Sequence, residues 1–140
     1  MDSNDLTHII PIPSLWDNLE KLEKRLFEVT VSEDTYLTEI SQYLMEAGGK
    51  RFRPIISLLA GELGSENKDK VIDAGISVEL IHLGSLYHDD VIDEATTRRG
   101  VESTNRKWNA TLAILAGDYL LARSSELAAD NIGLEYEKLL

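Results

Sequence analysis

Apolar residues recur every three to four positions along nearly the whole chain, and no stretch alternates strictly enough to read as a half-buried strand with hairpin signals. Leu15, Leu19, Leu22 and Leu26 lie on one face of a first helix, which Ser14 can cap. Ser32 can cap a second, carrying Tyr36, Leu37, Ile40, Tyr43 and Leu44 and stopping at Gly48 and Gly49. Pro54 suits the first turn of a third helix, Ile55 to Leu63, closed by Gly64. A long fourth helix is predicted from about Asp69 to Asp93. A fifth runs from about Ala110 to Ala129, through Leu112, Leu115, Tyr119, Leu120 and Leu127. The pattern predicts an all-α fold, an antiparallel helical bundle.

The fourth and fifth helices are apolar around most of their circumference. Ile76, Val78, Leu80, Ile81, Leu83 and Leu86 leave the fourth little polar face, so such a helix must be covered on nearly all sides. Five helices do not comfortably cover each other in this way. The expectation is a part of a larger helical bundle, or half of an obligate oligomer.

With 140 residues, 43% hydrophobic and 28% charged, the chain is long enough for one modest domain with a core, and its composition is that of a soluble globular protein. It has no cysteine, so any metal must be held by oxygen or imidazole. No apolar run approaches the ~20 residues of a membrane span. Residues Met1 to Pro13 lack the basic start of a signal peptide. A cytoplasmic location without a transmembrane segment is the default expectation.

The net charge of −11 argues against a nucleic-acid partner. Against that acidic background the cations are unevenly placed. Half of the 14 Lys and Arg residues fall in two short islands, Lys50 to Arg53 and Arg98 to Lys107. Two basic islands in so acidic a chain point to an anionic ligand.

The densest chemistry lies at the end of the fourth helix, in His88-Asp89-Asp90-Val91-Ile92-Asp93-Glu94, followed closely by Arg98 and Arg99. At about 100° per residue, His82, Asp89 and Asp93 share one face and Asp90 sits on its flank. Asp89 and Asp93, four residues apart, can take one divalent cation or two adjacent ones. Mg²⁺ prefers oxygen ligands and is usually completed by water and substrate phosphates. Acids at a helix C-terminus are disfavoured by the macrodipole unless a cation compensates. A solvated acidic helix end is the plainer reading of an isolated Asp-Asp-x-x-Asp. Here the array is led in by an apolar helix and followed at once by arginines, which favours metal-bridged diphosphate chemistry.

The segment Gly48-Gly49-Lys50-Arg51-Phe52-Arg53-Pro54 sits between two helices. Its glycines let a ligand approach the backbone, its arginines offer bidentate contacts to phosphate, and the following helix N-terminus attracts anions. Alone it also reads as an ordinary surface loop. His82, alone, is more often a satisfied core histidine; its alignment with Asp89 and Asp93 draws it toward the site.

These residues resemble the trans-isoprenyl diphosphate synthases, or polyprenyl synthetases. The resemblance rests on Gly-Gly-Lys-Arg-Phe-Arg-Pro at 48–54, Glu-Leu-Ile-His at 79–82, His-Asp-Asp-Val-Ile-Asp-Glu with Arg-Arg-Gly over 88–100, and Leu-Ala-Gly-Asp-Tyr-Leu at 115–120. It covers about residues 15 to 130 in order and spacing. It implies an isoprenoid-synthase type of bundle, of which residues 1–140 are the N-terminal part of a single domain. It implies that Asp89, Asp90 and Asp93 are a catalytic aspartate-rich motif, with Asp89 and Asp93 as Mg²⁺ ligands. By the same resemblance Lys50, Arg53, His82 and Arg99 bind isopentenyl diphosphate, and Arg98 binds the allylic prenyl diphosphate. The implied reaction is ionisation of the allylic diphosphate, attack by the isopentenyl double bond, and proton loss, in a homodimer or with a complementing chain.

Family enzymes are more than twice as long, and their second aspartate-rich motif lies in a C-terminal half that this sequence lacks. The expectation is therefore a fragment that does not turn over substrate alone. Gly84 and Ser85, one turn before Asp89, are small where bulky aromatics would block a growing isoprenoid tail, which points to medium- or long-chain products. The alternative function is a non-catalytic partner subunit of a heteromeric synthase, although a scaffold has no need of intact acidic and basic sites. A terpene cyclase is disfavoured by the Gly-Gly-Lys-Arg-x-Arg island.

Overall fold

The computed structural model describes residues 3–64 and 67–132. In chain order it contains α1 (Ser3–Ile9), α2 (Pro13–Val29), α3 (Thr35–Glu46), α4 (Phe52–Glu62), α5 (Lys68–Ile92), β1 (Thr97–Arg98), β2 (Val101–Glu102), α6 (Thr104–Lys107) and α7 (Ala110–Leu127), with a π-helical turn over Ala128–Ile132. The helical periodicity thus yields an all-α bundle, to which the two-residue strands add only a hairpin.

The helix starts differ in detail from the expected caps. The residue before α2 is Ile12, with Pro13 rather than Ser14 opening the helix. Asp34, not Ser32, caps α3, its carboxylate accepting from the backbone N–H groups of Tyr36 and Leu37. Ser32 lies two residues earlier and accepts from Asp34 N–H instead. Asn67 caps α5 through Asp69 N–H. At α3 one short polar acceptor replaces another, which sequence spacing distinguishes poorly, whereas α2 starts at Pro13 with no side-chain cap.

The core gathers Leu15, Leu22 and Leu26 of α2, Ile40 and Leu44 of α3, Ile55 and Leu58 of α4, and Ile76, Leu80, Leu83 and Tyr87 of α5. α5 is the axis, with α7, α4 and α2 packed around it. Glycines set the closest approach. A Cβ on Gly84 would lie 3.0 Å from the Gly117 carbonyl and 3.0 Å from Leu121 Cγ, so α5 and α7 nearly touch backbone to backbone there. Tyr87 is fully buried and its hydroxyl donates to the Ile40 carbonyl at 2.6 Å, tying α5 to α3. Burial pushes that hydroxyl's pKa up.

The expectation of two helices in need of outside cover holds only in part. α5 is largely covered within this chain, and its open side carries polar groups such as Ser85 and Asp89. Exposed apolar residues lie mainly along α4 and just past its end, at Phe52, Ile56, Leu59 and Leu63, with Ile92 at the end of α5 and Ile114 and Leu115 of α7 adding to them. α4 turns Ile55 and Leu58 inward, so its remaining apolar residues face outward. Among the described residues no helix is long and apolar enough to cross a membrane.

Candidate diphosphate and metal site

α5 ends in a Schellman turn that presents the acids. Glu94 N–H donates to the Val91 carbonyl and Ala95 N–H to the Asp90 carbonyl. Glu94 takes the left-handed position at φ 50° that glycine usually fills. The sequence gives no glycine signal for this turn. β1 and β2 then pair antiparallel, with Thr97 opposite Glu102 and Arg98 opposite Val101. The two residues between them, Arg99 and Gly100, have φ of 53° and 79°. Positive φ at both central positions is the pattern of a type I′ turn.

The three aspartates do not form one array. Asp89 and Asp93 are exposed, and no ion pair within reach engages either among the described residues. Asp90 is fully buried, and its Oδ1 accepts from Arg98 Nε at 2.9 Å and from Nη2 at 2.5 Å. Its other oxygen, Oδ2, is buried without a hydrogen-bond partner. Among the described residues no three carboxylate or imidazole groups are gathered around a common point. The donor set is therefore two open carboxylates four residues apart, not three. Two oxygen donors fit Mg²⁺, which leaves most of its coordination to water and phosphate.

The basic residues sort into different environments. His82, half-buried on α5, is pushed below its ordinary pKa of 6.5, first by burial and then by the positive charges of Arg53, Arg99 and Arg98. Those three guanidinium groups come from the start of α4 and from the hairpin, and each of them opposes protonation of the imidazole. Arg53 is exposed. Arg98 is raised above its ordinary value, chiefly by the hydrogen bond it donates to Asp90. Lys50 is also exposed and borders an open cavity of 540 Å³ with Trp16, Leu19, Glu23, Gly49 and Arg51. Of the expected basic residues, Arg98 is placed on Asp90 and Arg99 on the Gly48 and Leu44 carbonyls, while Lys50 and Arg53 are exposed.

Two residues outside the expected set belong to the same structure. Arg51 is 6% exposed, sits at φ 48°, and is held bidentately by Glu23 at 2.5 and 3.3 Å. Glu79, 2% exposed, accepts from Arg51 Nη1 at 3.4 Å and lies 3.9 Å from Arg99 Nη2. Burial pushes the Glu79 carboxyl up, against the lowering influence of Arg51, Arg99 and Arg53. Glu79 lies three residues before His82, and an acid inside an otherwise apolar helical run was the available signal.

The chain-length positions divide. Ser85 is exposed, its hydroxyl donating to the His82 carbonyl at 2.7 Å. Gly84 is buried against α7. The expectation that Gly84 leaves room for a growing tail is corrected: the space beside it is filled by the Gly117 backbone and by Leu121. Neighbouring helix positions diverge by about 100°, so only one of the two can face the open side.

Residues 34–140 match the family Polyprenyl synthetase. The chain is 38% identical over 124 residues to heptaprenyl diphosphate synthase component 2 of Bacillus subtilis, covering 89% of this chain and 36% of that protein. It is 48% identical over 97 residues to nonaprenyl diphosphate synthase of Mycobacterium tuberculosis, covering 69% of this chain and 29% of the relative. Its structure is similar to a polyprenyl synthase from Caulobacter crescentus, crystallised with calcium and isoprenyl diphosphate. That match has a TM-score of 0.86 at 25% identity and spans 99% of this chain and 40% of the other. The chain thus spans well under half the length of the relatives it matches, and over that span it carries the same all-α isoprenoid-synthase architecture. From its motifs, its fold and these relatives, the chain belongs to the polyprenyl synthetase family.

Proposed function

We propose that this chain supplies the first half of a prenyltransferase site that condenses isopentenyl diphosphate with an allylic prenyl diphosphate. The observation that carries the reading is the pair of open carboxylates, Asp89 and Asp93, at the end of α5, followed by Arg98 held on Asp90 and by Arg99, which shares the buried Glu79 with Arg51. In this reading Lys50, Arg53, His82 and Arg99 hold isopentenyl diphosphate. Arg98, kept at the end of α5 by Asp90, faces the allylic diphosphate. Asp89 and Asp93 hold Mg²⁺, which supplies charge stabilisation to a departing pyrophosphate when bound. Asp90 then serves the aspartate-rich motif through Arg98. The calcium and isoprenyl diphosphate in the Caulobacter crescentus structure support a cation and a diphosphate in a site of this kind. A cytoplasmic location fits the absence of a membrane-crossing helix among the described residues.

The direct test is to place these 140 residues in the matching segment of an active relative and assay condensation with Mg²⁺ and both diphosphates. Prenyl diphosphate products support the reading; a folded, inactive chimera contradicts it. A second reading is a non-catalytic partner subunit, and the relative named component 2 of heptaprenyl diphosphate synthase favours a chain that works with another. Under the first reading the chain still acts as a homodimer or with a complementing chain.

Protonation gives a further expected result. His82 is held below 6.5, so it is neutral at pH 7 in the free chain. A bound diphosphate favours the imidazolium and draws a proton in. Binding of isopentenyl diphosphate is expected to take up protons at pH values above the lowered pKa of the free His82. Calorimetry in buffers of different ionisation enthalpy measures this, and the uptake attributable to the protein should vanish in His82→Gln. Equal uptake by both contradicts a role for His82. The stability sign is separate. The unfolded state takes up the His82 proton first, so stability contributed by the neutral imidazole is lost as pH falls from 6.5 through the lower folded pKa.

Product length is expected to respond at Ser85. Ser85→Phe in an active chimera places a ring one turn, roughly 6 Å, before Asp89 on the open side of α5. The first condensation should survive and the products shorten. Chromatography of the dephosphorylated products decides this; unchanged length with normal activity means the tail does not pass this face.

A further inference from the structure

We propose that Glu79 is a positioning residue for the isopentenyl diphosphate end of the site, setting Arg99 and the Gly48–Arg53 loop through one buried carboxylate. The inference rests on the reading above and adds to it a residue that itself touches no ligand. Glu79 stands between two guanidinium groups from segments far apart in sequence. Arg51 follows α3, and Arg99 lies in the hairpin turn after α5. Both occupy left-handed backbone conformations, φ 48° and 53°, which side-chain-bearing residues adopt only when their surroundings over-determine them.

The surroundings do so here. Arg99 Nη1 donates to the Leu44 carbonyl at 2.8 Å and to the Gly48 carbonyl. Arg51 Nη2 donates to the Met45 carbonyl at 3.4 Å. A Cβ on Gly49 would lie 2.7 Å from Arg51 Nη1 and 2.9 Å from Arg99 Cζ, so the two guanidinium groups pack directly beneath the loop. Their mutual repulsion is one reason that Arg99 is depressed below its ordinary pKa, after burial, and Glu79 acts in the opposite sense. Without the Glu79 charge, Arg51 keeps Glu23 as a partner, whereas Arg99 keeps only carbonyls and faces a neighbouring cation. The loop above them then has no fixed floor, and Arg53 at its end shifts with it.

The test uses the chimera carrying this chain, with calorimetric titration of isopentenyl diphosphate. Geranyl diphosphate with Mg²⁺, directed to the Asp89 and Asp93 side, serves as the internal control. Glu79→Gln is expected to raise the Kd for isopentenyl diphosphate roughly tenfold to a hundredfold, the range of coupling within one ion network. The Kd for geranyl diphosphate should stay within about twofold. A merely structural role would weaken both together, and that outcome overturns the proposal, as does an unchanged isopentenyl affinity. Should Glu79→Gln lose its helical circular dichroism, Glu79→Asp decides. It retains the charge but withdraws it by one methylene, and about three- to tenfold weaker isopentenyl binding alone is expected. Wild-type affinity in Glu79→Asp overturns the proposal. If the chimera carrying the unaltered segment takes up neither diphosphate, the functional reading fails and the positioning role falls with it. If that chimera binds and the variants bind equally well, only the positioning role fails.

Discussion

Replacing Asp89 or Asp93 by alanine in an active synthase carrying this chain is expected to lower turnover by roughly 10²–10³-fold, the scale of losing one group that stabilises transition-state charge. The two residues are exposed and lack ion-pair partners among the described residues, so removing them disturbs little of the fold. They also sit at a helix C-terminus, where the macrodipole disfavours negative charge. Each variant should therefore melt no lower than the parent while losing activity. Steady-state kinetics at saturating Mg²⁺, paired with thermal melts, separates the two quantities. Near-normal turnover in either variant shows that the carboxylates are structural, and a large fall in melting temperature shows that they carry packing.

The second large effect concerns stability. Gly84→Leu is expected to destabilise the chain by about 3 kcal/mol, the upper part of the range for overpacking a filled interior. The new side chain has only the Gly117 backbone and Leu121 to push against, and a backbone carbonyl does not move aside as a flexible side chain can. Ser85→Leu, one residue on, points to the open side and should change stability by about 0.5 kcal/mol or less. Thermal or urea unfolding of both variants checks this. Equal stability of the pair would mean that α5 and α7 are not in backbone contact at this point.

These two positions also show how far the sequence was legible. The hydrophobic period located α2, α3, α4, α5 and α7, because each buries a stripe of Leu and Ile that repeats every three to four residues. It did not locate the hairpin or α6. Two-residue strands are too short to show a period of two, and the turn between them has Arg where Asn or Gly is the usual signal. The helix-wheel argument put Asp89 and Asp93 on one face and Asp90 on its flank. It could not show that Asp90 is buried, because the partner that buries it, Arg98, reaches it only after the chain reverses in the hairpin. Likewise nothing local marks Glu79 and Arg51 as partners, since they are 28 residues apart and meet only when α4 docks on α5. Spacing named the residue types at the site, and tertiary contacts decided which face inward.

The hairpin puts two adjacent arginines to opposite uses. Arg98 turns to the Asp90 carboxylate at the end of α5, while Arg99 turns to Leu44, Gly48 and Glu79. Surface connections usually accept extra residues freely. This one should not, because a shift of one residue in strand register exchanges the two faces of every side chain. An inserted or deleted residue between Glu94 and Arg98 would present the wrong guanidinium to each carboxylate while leaving both arginines in the chain. Length is therefore expected to be as strictly limited here as residue identity, and a variant library built with single-residue insertions across 95–102 should tolerate almost none of them while accepting most substitutions at the exposed Thr96 and Thr97.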